Sequence, residues 1–416
     1  MRYSLGFGKT SLALDVDVSN IIGFLEPNHV DIQLLGIEEV KRAMNAPIGT
    51  KRLKDIAQPG EKIVIITSDI TRPTPSKLML PIIIDELLQA KVSKKDIKII
   101  FALGSHRKHT EDEKRYLVGE EIYSNIECID SDISDCVNMG TTAAGTPVDI
   151  FKLVAEADRR ICLGNIEYHY FAGYSGGAKA IMPGVSSRAA IQVNHSKMIM
   201  ETAKAGEIIS NPIRTDIEDV ANFIHIDFIL NVVLDEQKKI IKAVAGHHQA
   251  AHREGCRFLD EFYKVKIKEA ADIVVVSAGG YPKDINLYQA QKALDNAKHA
   301  VRKGGIIILV ASCKEGFGSE VFQRWIEKAE KSDDLIKEIH RNFELGGHKA
   351  AAIAMVLESC SIYLVSDLPD EIAEKVYMKP YSNLQLAYDD AIISLGGKRK
   401  TIIMPFGGST LPVIAL

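Results

Sequence analysis

The sequence predicts an α/β protein in which each of two domains contains a doubly wound, mostly parallel sheet. Short β-branched runs alternate with longer segments of helical periodicity, which is typical of β-α-β units. The alternation restarts near Lys264, and 416 residues are enough for about two or three domains. We therefore expect Rossmann-like domains over residues 1–262 and 263–416, with the active site in the cleft between them.

The first half of the chain contains four runs that read as buried strands. These are Lys62–Thr67, Asp96–Leu103, Arg160–Gly164 and Phe228–Leu234. Apolar spacing predicts helices over Leu78–Ala90 and Thr110–Glu120. Thr74 is the predicted N-cap of the first helix, with Pro75 at its first position. The helical stretch Gly246–Tyr263 is the predicted bridge between the domains.

The second half repeats the pattern with four further strands. These are Asp272–Ser277, Gly305–Ala311, Ser361–Ser366 and Thr401–Pro405. A helix is predicted over Tyr288–Arg302, where Ala and Lys recur every three or four residues. Ligands of open α/β sheets bind beyond the carboxyl ends of the strands, so we sought reactive residues in the loops that follow them.

Composition excludes several classes of function. The chain has 51 Lys and Arg against 55 Asp and Glu, a formal net charge of −4, so it lacks the basic surface of a nucleic-acid binder. It contains no apolar run near the ~20 residues that span a bilayer and no signal-peptide core, so we expect a cytoplasmic protein. Its six cysteines form no CxxC pair, which argues against a zinc ribbon and against a disulfide framework.

Two loops that follow strands contain candidate catalytic and binding residues. In the loop after Lys62–Thr67, Asp69 and Arg72 either face a pocket or merely belong to a turn that starts a helix. A pocket would use the Arg72 guanidinium to bind a carboxylate or phosphate through two hydrogen bonds. In the next loop His106 follows a strand and a glycine, a position suited to acid–base catalysis, although a surface histidine is the simpler interpretation. His109 is assigned to the start of the following helix.

The loop over residues 164–179 is the richest in candidate residues. Gly173, Gly176 and Gly177 allow close approach of the backbone, so that successive N–H groups could bind an anion. Lys179 offers a charge or a nucleophilic amine. The spacing matches neither a P-loop nor GxGxxG. The alternative, a flexible surface loop, is disfavoured by the four aromatic residues within the segment.

Other histidines and one helix of the second half add weaker candidates. His195 lies on a predicted helix that Ser186 or Ser187 would cap, without a second ligand at helical spacing, so a metal there would need ligands that the protein does not supply. Gln289 and Lys292 share a helix face with each other, and Tyr288 precedes them. The remaining histidines of this region are predicted to be surface or interdomain residues: His247, His248 and His252.

Taken together, these motifs resemble the lactate racemase (LarA) family. They are, in chain order, Ser68-Asp69-x-x-Arg72-Pro73-Thr74-Pro75-Ser76-Lys77, Gly104-x-His106-Arg107, His169-x-Phe171-Ala172-Gly173-x-Ser175-Gly176-Gly177-x-Lys179, Asn194-His195 and Gly280-Tyr281-Pro282 followed by Tyr288-Gln289-x-x-Lys292. The steps from His169 to Lys179 and from Lys179 to His195 are the most specific parts.

The resemblance implies an isomerase that racemises or epimerises a small 2-hydroxy acid. Its cofactor would be the nickel-pincer nucleotide, Ni(II) pyridinium-3,5-bisthiocarboxylic acid mononucleotide, attached covalently at Lys179, with His195 as the fourth nickel ligand. Hydride would pass from C2 of the substrate to the cofactor and back, while His106 and His169 act as the two acid/bases. We also expect that loading needs the enzymes that make the cofactor, and an oligomer is compatible with the sequence.

The resemblance also assigns binding roles. The first domain would carry the cofactor and the catalytic histidines, and the second would close over the substrate. Nucleotide contacts are implied for Asp69, Arg72, Ser175, Gly176 and Gly177, and substrate contacts for Arg72, Tyr288, Gln289 and Lys292.

The sequence departs from the family pattern at two places. Ala178 stands where the family has an arginine before the lysine, and the family's tryptophan near the substrate has no counterpart, since Trp325 does not match it. His348 and Lys349 occupy that neighbourhood, so a larger or more polar 2-hydroxy acid is at least as compatible as lactate. The alternatives are a zinc-dependent hydrolase or lyase using three histidines and a module that binds a nucleotide or sugar phosphate.

Overall fold

The structure is a computed structural model that describes residues 1–415; Leu416 lies outside the described residues. Its strands are β1 Arg2–Phe7, β2 Thr10–Asp15, β3 Ile21–Phe24, β4 Ile63–Ser68, β5 Ile97–Ala102, β6 Glu127–Asp130, β7 Cys136–Thr141, β8 Pro147–Phe151, β9 Arg159–Asn165, β10 Tyr168–His169, β11 Gly173–Tyr174, β12 Phe228–Leu234, β13 Ile240–Gly246, β14 Lys264–Ile267, β15 Ala271–Ser277, β16 Val301–Val310, β17 Ser361–Val365, β18 Lys379–Tyr381, β19 Thr401–Met404 and β20 Leu411–Ile414.

The helices are α1 Gly36–Asn45, α2 Ser76–Gln89, α3 Glu111–Val118, α4 Glu120–Asn125, α5 Lys152–Ala155, α6 Arg188–Ser196, α7 Pro212–Asp219, α8 Ala250–Tyr263, α9 Leu287–Ala297, α10 Glu320–Lys328, α11 Ser332–Arg341, α12 Gly347–Leu357, α13 Asp370–Lys375 and α14 Leu384–Ser394. Within the described residues, none of these helices combines the length and the apolar character that crossing a membrane requires.

The chain divides into two compact units, which differ from the predicted domains at one end. The middle unit is Val30–Glu261, and the second unit combines Met1–His29 with the chain from Phe262 onward. The predicted boundary after residue 262 is close to the observed one, but the first 29 residues belong to the second unit. The reason is strand pairing: β3 lies parallel to β19, with Ile21 opposite Thr401.

The middle unit is built on a six-stranded sheet in the order β13-β12-β9-β4-β5-β6. All neighbours are parallel except β12 and β13. Alternate residues of a strand face opposite sides, and Ile63 and Ile65 of β4 join one core with the apolar residues of α1 and α2. The four strands predicted for this half are confirmed, with their ends shifted by no more than a residue or two.

The second unit has an all-parallel sheet in the order β18-β17-β16-β15-β19-β3. The four strands predicted here are also confirmed, so the α/β class is correct. The predicted helix Tyr288–Arg302 is too long, because α9 ends at Ala297 and β16 already begins at Val301. The β1–β2 hairpin contributes Leu5 and Leu14 to the core of this unit.

The middle sheet also determines where its loops emerge. Ser68 pairs with Ala102 at the ends of β4 and β5, and β9 runs parallel on the other side of β4. The loops that follow these three strands therefore leave the same edge of the sheet, next to one another.

The contribution of the N-terminal hairpin to the second unit can be tested with Leu5→Ala. Leu5 is fully buried in the core of that unit, so truncating it should lower stability by about 2–5 kcal/mol. Hydrogen exchange read by mass spectrometry should accelerate in β15 and β16 but not in β4 and β9. The exposed Val18→Ala serves as the control, with an effect within about 0.5 kcal/mol. Faster exchange confined to β1 and β2 would contradict the assignment.

Candidate active site

Asp69 and His106, predicted from separate loops, form a hydrogen-bonded pair. Asp69 Oδ2 accepts from His106 Nδ1, and Asp69 Oδ1 accepts from the Thr71 backbone N–H at 3.0 Å and its hydroxyl at 2.6 Å. Asp69 is buried, whereas 37% of the His106 side chain is exposed. Because the carboxylate is an acceptor, Nδ1 carries the proton and Nε2 presents its lone pair.

The charge state of Asp69 follows from these contacts. Burial alone would raise the pKa of its carboxyl group, but hydrogen bonding and charge from His106 lower it. The Thr71 hydroxyl and the Arg72 guanidinium act in the same direction, so the pKa lies below its ordinary value and the carboxylate is ionised at neutral pH. Both oxygens of Asp69 are thus engaged with the loop and with His106. The predicted nucleotide contact of Asp69 stays a prediction.

His109 connects the loop that carries His106 to the loop that carries Asp69. Its Nδ1 donates to Asp130 at 2.6 Å, and its Nε2 accepts from the Ile70 backbone N–H at 3.0 Å. The residue precedes Thr110, which caps α3, in agreement with its predicted place at the start of a helix. The ring is buried against Phe101, so its role is to hold the backbone next to Asp69.

The predicted cap of α2 is wrong. Pro75 is the N-cap residue, without a side-chain hydrogen bond. The Thr74 hydroxyl instead bonds to the side chains of Ser68 at 3.1 Å and Asn165 at 3.0 Å. Thr74 therefore connects the ends of β4 and β9, an interaction across the sheet that no local signal could reveal.

Of the two caps predicted for α6, Ser186 and Ser187, the structure shows Ser187: its side chain accepts from the Ala190 N–H.

His169 and His195 pack around one aromatic ring. The Phe171 ring centroid lies 4.5 Å from that of His169 and 4.8 Å from that of His195. His169 belongs to the short β10–β11 hairpin, where it pairs with Gly173. Its Nδ1 accepts from the Ala172 N–H at 3.3 Å, so the neutral ring carries its proton on Nε2. Two residues separated by 26 positions in sequence are thereby brought into one cluster.

The hairpin that carries His169 is attached to α8 through two tyrosines. The hydroxyl groups of Tyr168 and Tyr174 each donate to Asp260 Oδ1 at 2.8 Å. Burial, followed by the charge of Asp260, raises the pKa of both phenols, so they remain neutral donors. The hairpin is therefore held on a helix and not left as the flexible loop that was the alternative.

The tautomer of His195 is set by its neighbour. Asn194 Nδ2 donates to the buried Asp216 carboxylate at 2.7 Å and to the Ile213 carbonyl at 3.3 Å, which fixes the orientation of the amide. Asn194 Oδ1 then faces His195 Nδ1 at 3.0 Å and must accept its proton. The lone pair of His195 is consequently on Nε2, the state that a metal-ligating imidazole requires.

Lys179 lies in a cationic environment within the lysine loop, the segment Ser175–Lys179. It retains some solvent access, yet desolvation by the surrounding protein lowers the pKa of its amine well below the ordinary value. Arg72 and Arg214 lower it further, and Glu167 opposes them. Since burial and the two neighbouring cations act in the same direction, the lysine is poised to carry a neutral, nucleophilic amine.

The backbone of the lysine loop differs from the predicted anion-binding nest. The Gly177 N–H donates to Asn231 Oδ1 at 2.8 Å, and the Ser175 N–H donates to the Glu167 carbonyl at 2.9 Å. Two of the three amides assigned to the nucleotide are thus already used within the protein. Gly176 and Gly177 have positive φ, and an added Cβ would approach Asn231 to 2.8 Å and His252 to 2.9 Å, respectively, so close packing explains these glycines.

His252 was expected at the surface or between domains, and this prediction is wrong. The residue is buried on α8, with its ring against Gly177 and its Nε2 donating to the Ser175 carbonyl at 2.8 Å. Burial, then the charge of Arg214, lowers its pKa well below the ordinary value, so the ring is a neutral donor. The sequence reasoning missed both His252 and Arg214 as supports of the lysine loop.

Within residues 1–415, no group of three His, Cys, Asp or Glu side chains is arranged to hold a metal ion. His106, His169 and His195 are therefore not assembled into the zinc site of the alternative hypothesis. The residues present do fit a metal-bearing organic cofactor: a single imidazole Nε2 for the metal, an amine for attachment and the Arg72 guanidinium for negative charge.

The candidate residues of the second unit lie on α9 and α12. Tyr288, Gln289 and Lys292 are half-buried on the first turns of α9. Lys349 is buried, donates to Gln291 Oε1 at 2.7 Å and lies 5.1 Å from the centre of the Tyr288 ring.

His348 and Trp325 line the start of α12. His348 is buried, its Nδ1 accepts from the Gly346 N–H at 2.9 Å, and burial lowers its pKa to about 3. The Trp325 ring packs against Gly347, so the chain's tryptophan does occupy the neighbourhood of His348.

The control of the His195 tautomer by Asn194 is testable in Asn194→Ala. Removing the amide should release the Nδ1 proton from its fixed position, so ¹⁵N shifts of the His195 ring should change from one tautomer to a mixture. Asn222→Ala, an exposed asparagine of the same unit, should leave the ring shifts unchanged. An unaltered tautomer in the Asn194 variant would refute this role.

Comparisons with known proteins agree with this architecture. Residues 7–206 match the family model of the lactate racemase N-terminal domain, and residues 266–412 match that of the lactate racemase C-terminal domain. The chain is 37% identical over 417 residues to the lactate racemase of Thermoanaerobacterium thermosaccharolyticum, with 97% of each chain covered. It is 34% identical over 415 residues to that of Lactiplantibacillus plantarum, with the same coverage.

Solved structures give the same result. The lactate racemase apoprotein from Thermoanaerobacterium thermosaccharolyticum superposes with a TM-score of 0.93 at 35% identity, covering 99% of this chain and 100% of that one. A Thermotoga maritima protein shares the fold alone, with a TM-score of 0.70 at 18% identity. The two matched domain models, the two relatives and the shared architecture show that this chain is an isomerase and belongs to the lactate racemase family.

Proposed function

We propose that the protein racemises or epimerises a small 2-hydroxy acid by hydride transfer to and from a nickel-pincer nucleotide. The His106–Asp69 pair is the observation that carries this proposal, since it presents an exposed imidazole Nε2 against a buried carboxylate. An imidazole titrates near neutral pH, and a carboxylate on its other nitrogen stabilises the imidazolium that forms. The relatives named lactate racemase support the reaction class.

The first step assigned to the chain is removal of the substrate hydroxyl proton. His106 Nε2 takes the proton, and the Asp69 carboxylate then faces a cationic ring to which it is already hydrogen-bonded. His169 is the second acid/base and serves the opposite enantiomer: its Nδ1 accepts from the Ala172 N–H, so the neutral ring donates through Nε2–H, and it takes a proton at Nε2 only in the other tautomer.

The cofactor would be held by Lys179, through a covalent thioamide, and by His195 Nε2 on the nickel. When bound, it supplies an acceptor and donor of hydride for C2 of the substrate. A site with one imidazole nitrogen beside sulfur and carbon donors suits Ni(II). Arg72, whose charge acts on Lys179, would offset negative charge on the nucleotide or substrate.

The substrate class is a small 2-hydroxy acid, either lactate or a larger, more polar relative. Arg72 is the proposed carboxylate ligand in the middle unit. Contacts from Tyr288, Gln289 and Lys292 stay predictions from the family resemblance. Lys349 contacts Gln291 and Tyr288, so any influence it has on substrate choice would act through Tyr288.

The experiment that tests the proposal uses protein coexpressed with enzymes that make the cofactor. We expect about one nickel per chain and an adduct on Lys179 detectable by mass spectrometry. Incubation with single enantiomers of 2-hydroxy acids and aldonates should give racemisation or epimerisation read by chiral chromatography, with any solvent exchange at C2 followed in deuterated water. Protein that carries neither nickel nor adduct and converts none of these acids would refute the proposal.

The two acid/bases can be separated with His106→Asn and His169→Asn. Each should lose about 100-fold or more in turnover, and the initial rate should depend on which enantiomer is supplied, in opposite senses for the two variants. His340→Asn, an exposed histidine on α11, is the matched control and should keep full activity. Ligand binding that persists in both variants, combined with a wild type that turns over no acid, would instead favour a binding module.

Asp69→Asn tests the dyad itself. The amide is nearly isosteric but no longer stabilises an imidazolium, so kcat should fall by about 10- to 100-fold while KM changes little. The pH–rate profile should also move, which loss of structure alone would not cause. A variant with wild-type kcat and pH profile would show that Asp69 has no part in proton transfer.

A further inference from the structure

Arg214 is a buried cation whose hydrogen bonds all go to the backbone. It lies on the first turn of α7 and is fully buried. Its guanidinium donates to the carbonyl groups of Ala172 and Gly176, each at 3.4 Å, and of Tyr174. Among residues 1–415, no carboxylate oxygen lies within 4.0 Å of the Arg214 guanidinium, so Arg214 has no ion-pair partner there. The nearby Glu218 is instead paired with Arg253 at 2.7 Å.

Hydrogen bonding alone does not explain why this residue is charged. Burial of an ion without a counter-ion is strongly unfavourable, and a neutral amide with its two N–H donors could already serve two of the three carbonyl groups. A guanidinium, however, does not release its proton in a protein, so it is a permanent charge wherever it is placed. An unpaired buried charge beside a reactive group is typical of functional sites.

The geometry places this charge next to the backbone of Lys179. Arg214 Nη1 and the Lys179 backbone N–H both donate to the Gly176 carbonyl, at 3.4 and 3.3 Å. Asn211 fixes the first turn of α7 by accepting from the Arg214 N–H at 3.0 Å and donating to the Phe171 carbonyl at 2.9 Å. The helix turn, the histidine hairpin and the lysine loop are thus joined around one guanidinium.

We propose that Arg214 is a positioning residue for Lys179: its permanent charge disfavours the ammonium form of the lysine, and its hydrogen bonds hold the loop that presents the amine. The proposal rests on the proposed attachment at Lys179. Attachment joins the amine nitrogen to a thiocarboxyl carbon of the cofactor and releases one water, so it needs no oxidant or reductant. Only the neutral amine has the lone pair for this attack.

The other charged groups near Lys179 and Arg214 do not cancel the influence of Arg214 on the lysine amine. Lys179 faces Arg72 from the loop after β4 and Glu167 from the loop after β9, and burial is the largest influence on its pKa. Arg214 itself faces Glu218 on α7, Arg253 and Cys256 on α8, and Tyr174 on the hairpin. Two cations therefore act on Lys179 against one carboxylate.

The test uses apo-protein and does not need the cofactor. Brief acetylation with trace acetic anhydride from about pH 6 to about pH 12, followed by peptide mass spectrometry, gives a titration midpoint for each lysine. In the wild type, Lys179 should react at a midpoint at least one pH unit below that of the exposed Lys51. Arg214→Gln keeps amide donors but removes the charge, so its Lys179 midpoint should rise by about one unit or more.

Two further variants separate charge from structure. Arg214→Met removes both the charge and the donors, and hydrogen exchange of the Ser175–Lys179 amides shows how far the loop loosens in each variant. Arg188→Gln makes the same exchange of residue types at an exposed position of α6 and should change nothing. The Lys179 midpoint should rise in Arg214→Gln and Arg214→Met alike, including where the loop amides keep their wild-type exchange. A midpoint that rises only in a variant whose loop amides exchange faster, or in neither variant, overturns the proposal.

The acetylation midpoints of the wild type alone can overturn the proposal, whether or not a variant folds. A Lys179 midpoint equal to that of Lys51 would overturn the inference. If Lys179 titrates low and responds to Arg214 but coexpressed protein acquires no adduct, the proposed function fails while the influence of Arg214 on the lysine stands.

Discussion

The parallel pairing of β4 with β5 on one side and β9 on the other is the constraint on which the site depends. Ser68 lies opposite Ala102, and Ile66 opposite Cys162, so three loops leave the same edge of the sheet. A shift of register by one residue would turn Thr67 and Ser68 to the opposite faces and separate Asp69 from His106. Because β4 is buried on both faces, its register is fixed by the close packing of individual side chains, such as Ile63 and Ile65 in the core beneath α1 and α2, and not by an alternation of apolar and polar residues.

Each candidate reactive group is oriented or held in place by a buried polar side chain. Asp69 orients His106, Asn194 orients His195, and Asp260 holds the two tyrosines beside His169. Asp69 and Asp260 lie on different elements from the side chains they orient, whereas Asn194 and His195 are neighbours on α6. Contacts between elements make the arrangement resistant to local motion. Sites built this way gain their accuracy from the supporting layer as much as from the reacting side chains.

Features that depend on neighbouring residues in the sequence could be predicted, and features that depend on contacts between distant residues could not. Continuous β-branched runs reveal β4 or β15 without any knowledge of neighbours, and the loops after them are found as a consequence. The β1–β2 hairpin and β3 were not predicted as parts of the second unit, because the core that the hairpin joins and the strand that β3 pairs with lie hundreds of residues away. Thr74 looks like a helix cap in sequence, yet it bonds across the sheet to Asn165. Arg214 and His252 have the local signature of solvated helix residues, and only the tertiary packing of the lysine loop buries them.

The membership of residues 1–29 in the second unit has a consequence for how the chain acquires its structure. During synthesis β3 emerges 380 residues before β19, its partner in the sheet, counted from Ile21 to Thr401. The middle unit, Val30–Glu261, is contiguous and can complete its sheet on the ribosome. The β1–β2 hairpin and β3 cannot bury their apolar residues until the strands after Phe262 have been made. Contacts of such long sequence separation form slowly, so the second sheet is expected to close after the middle unit has folded.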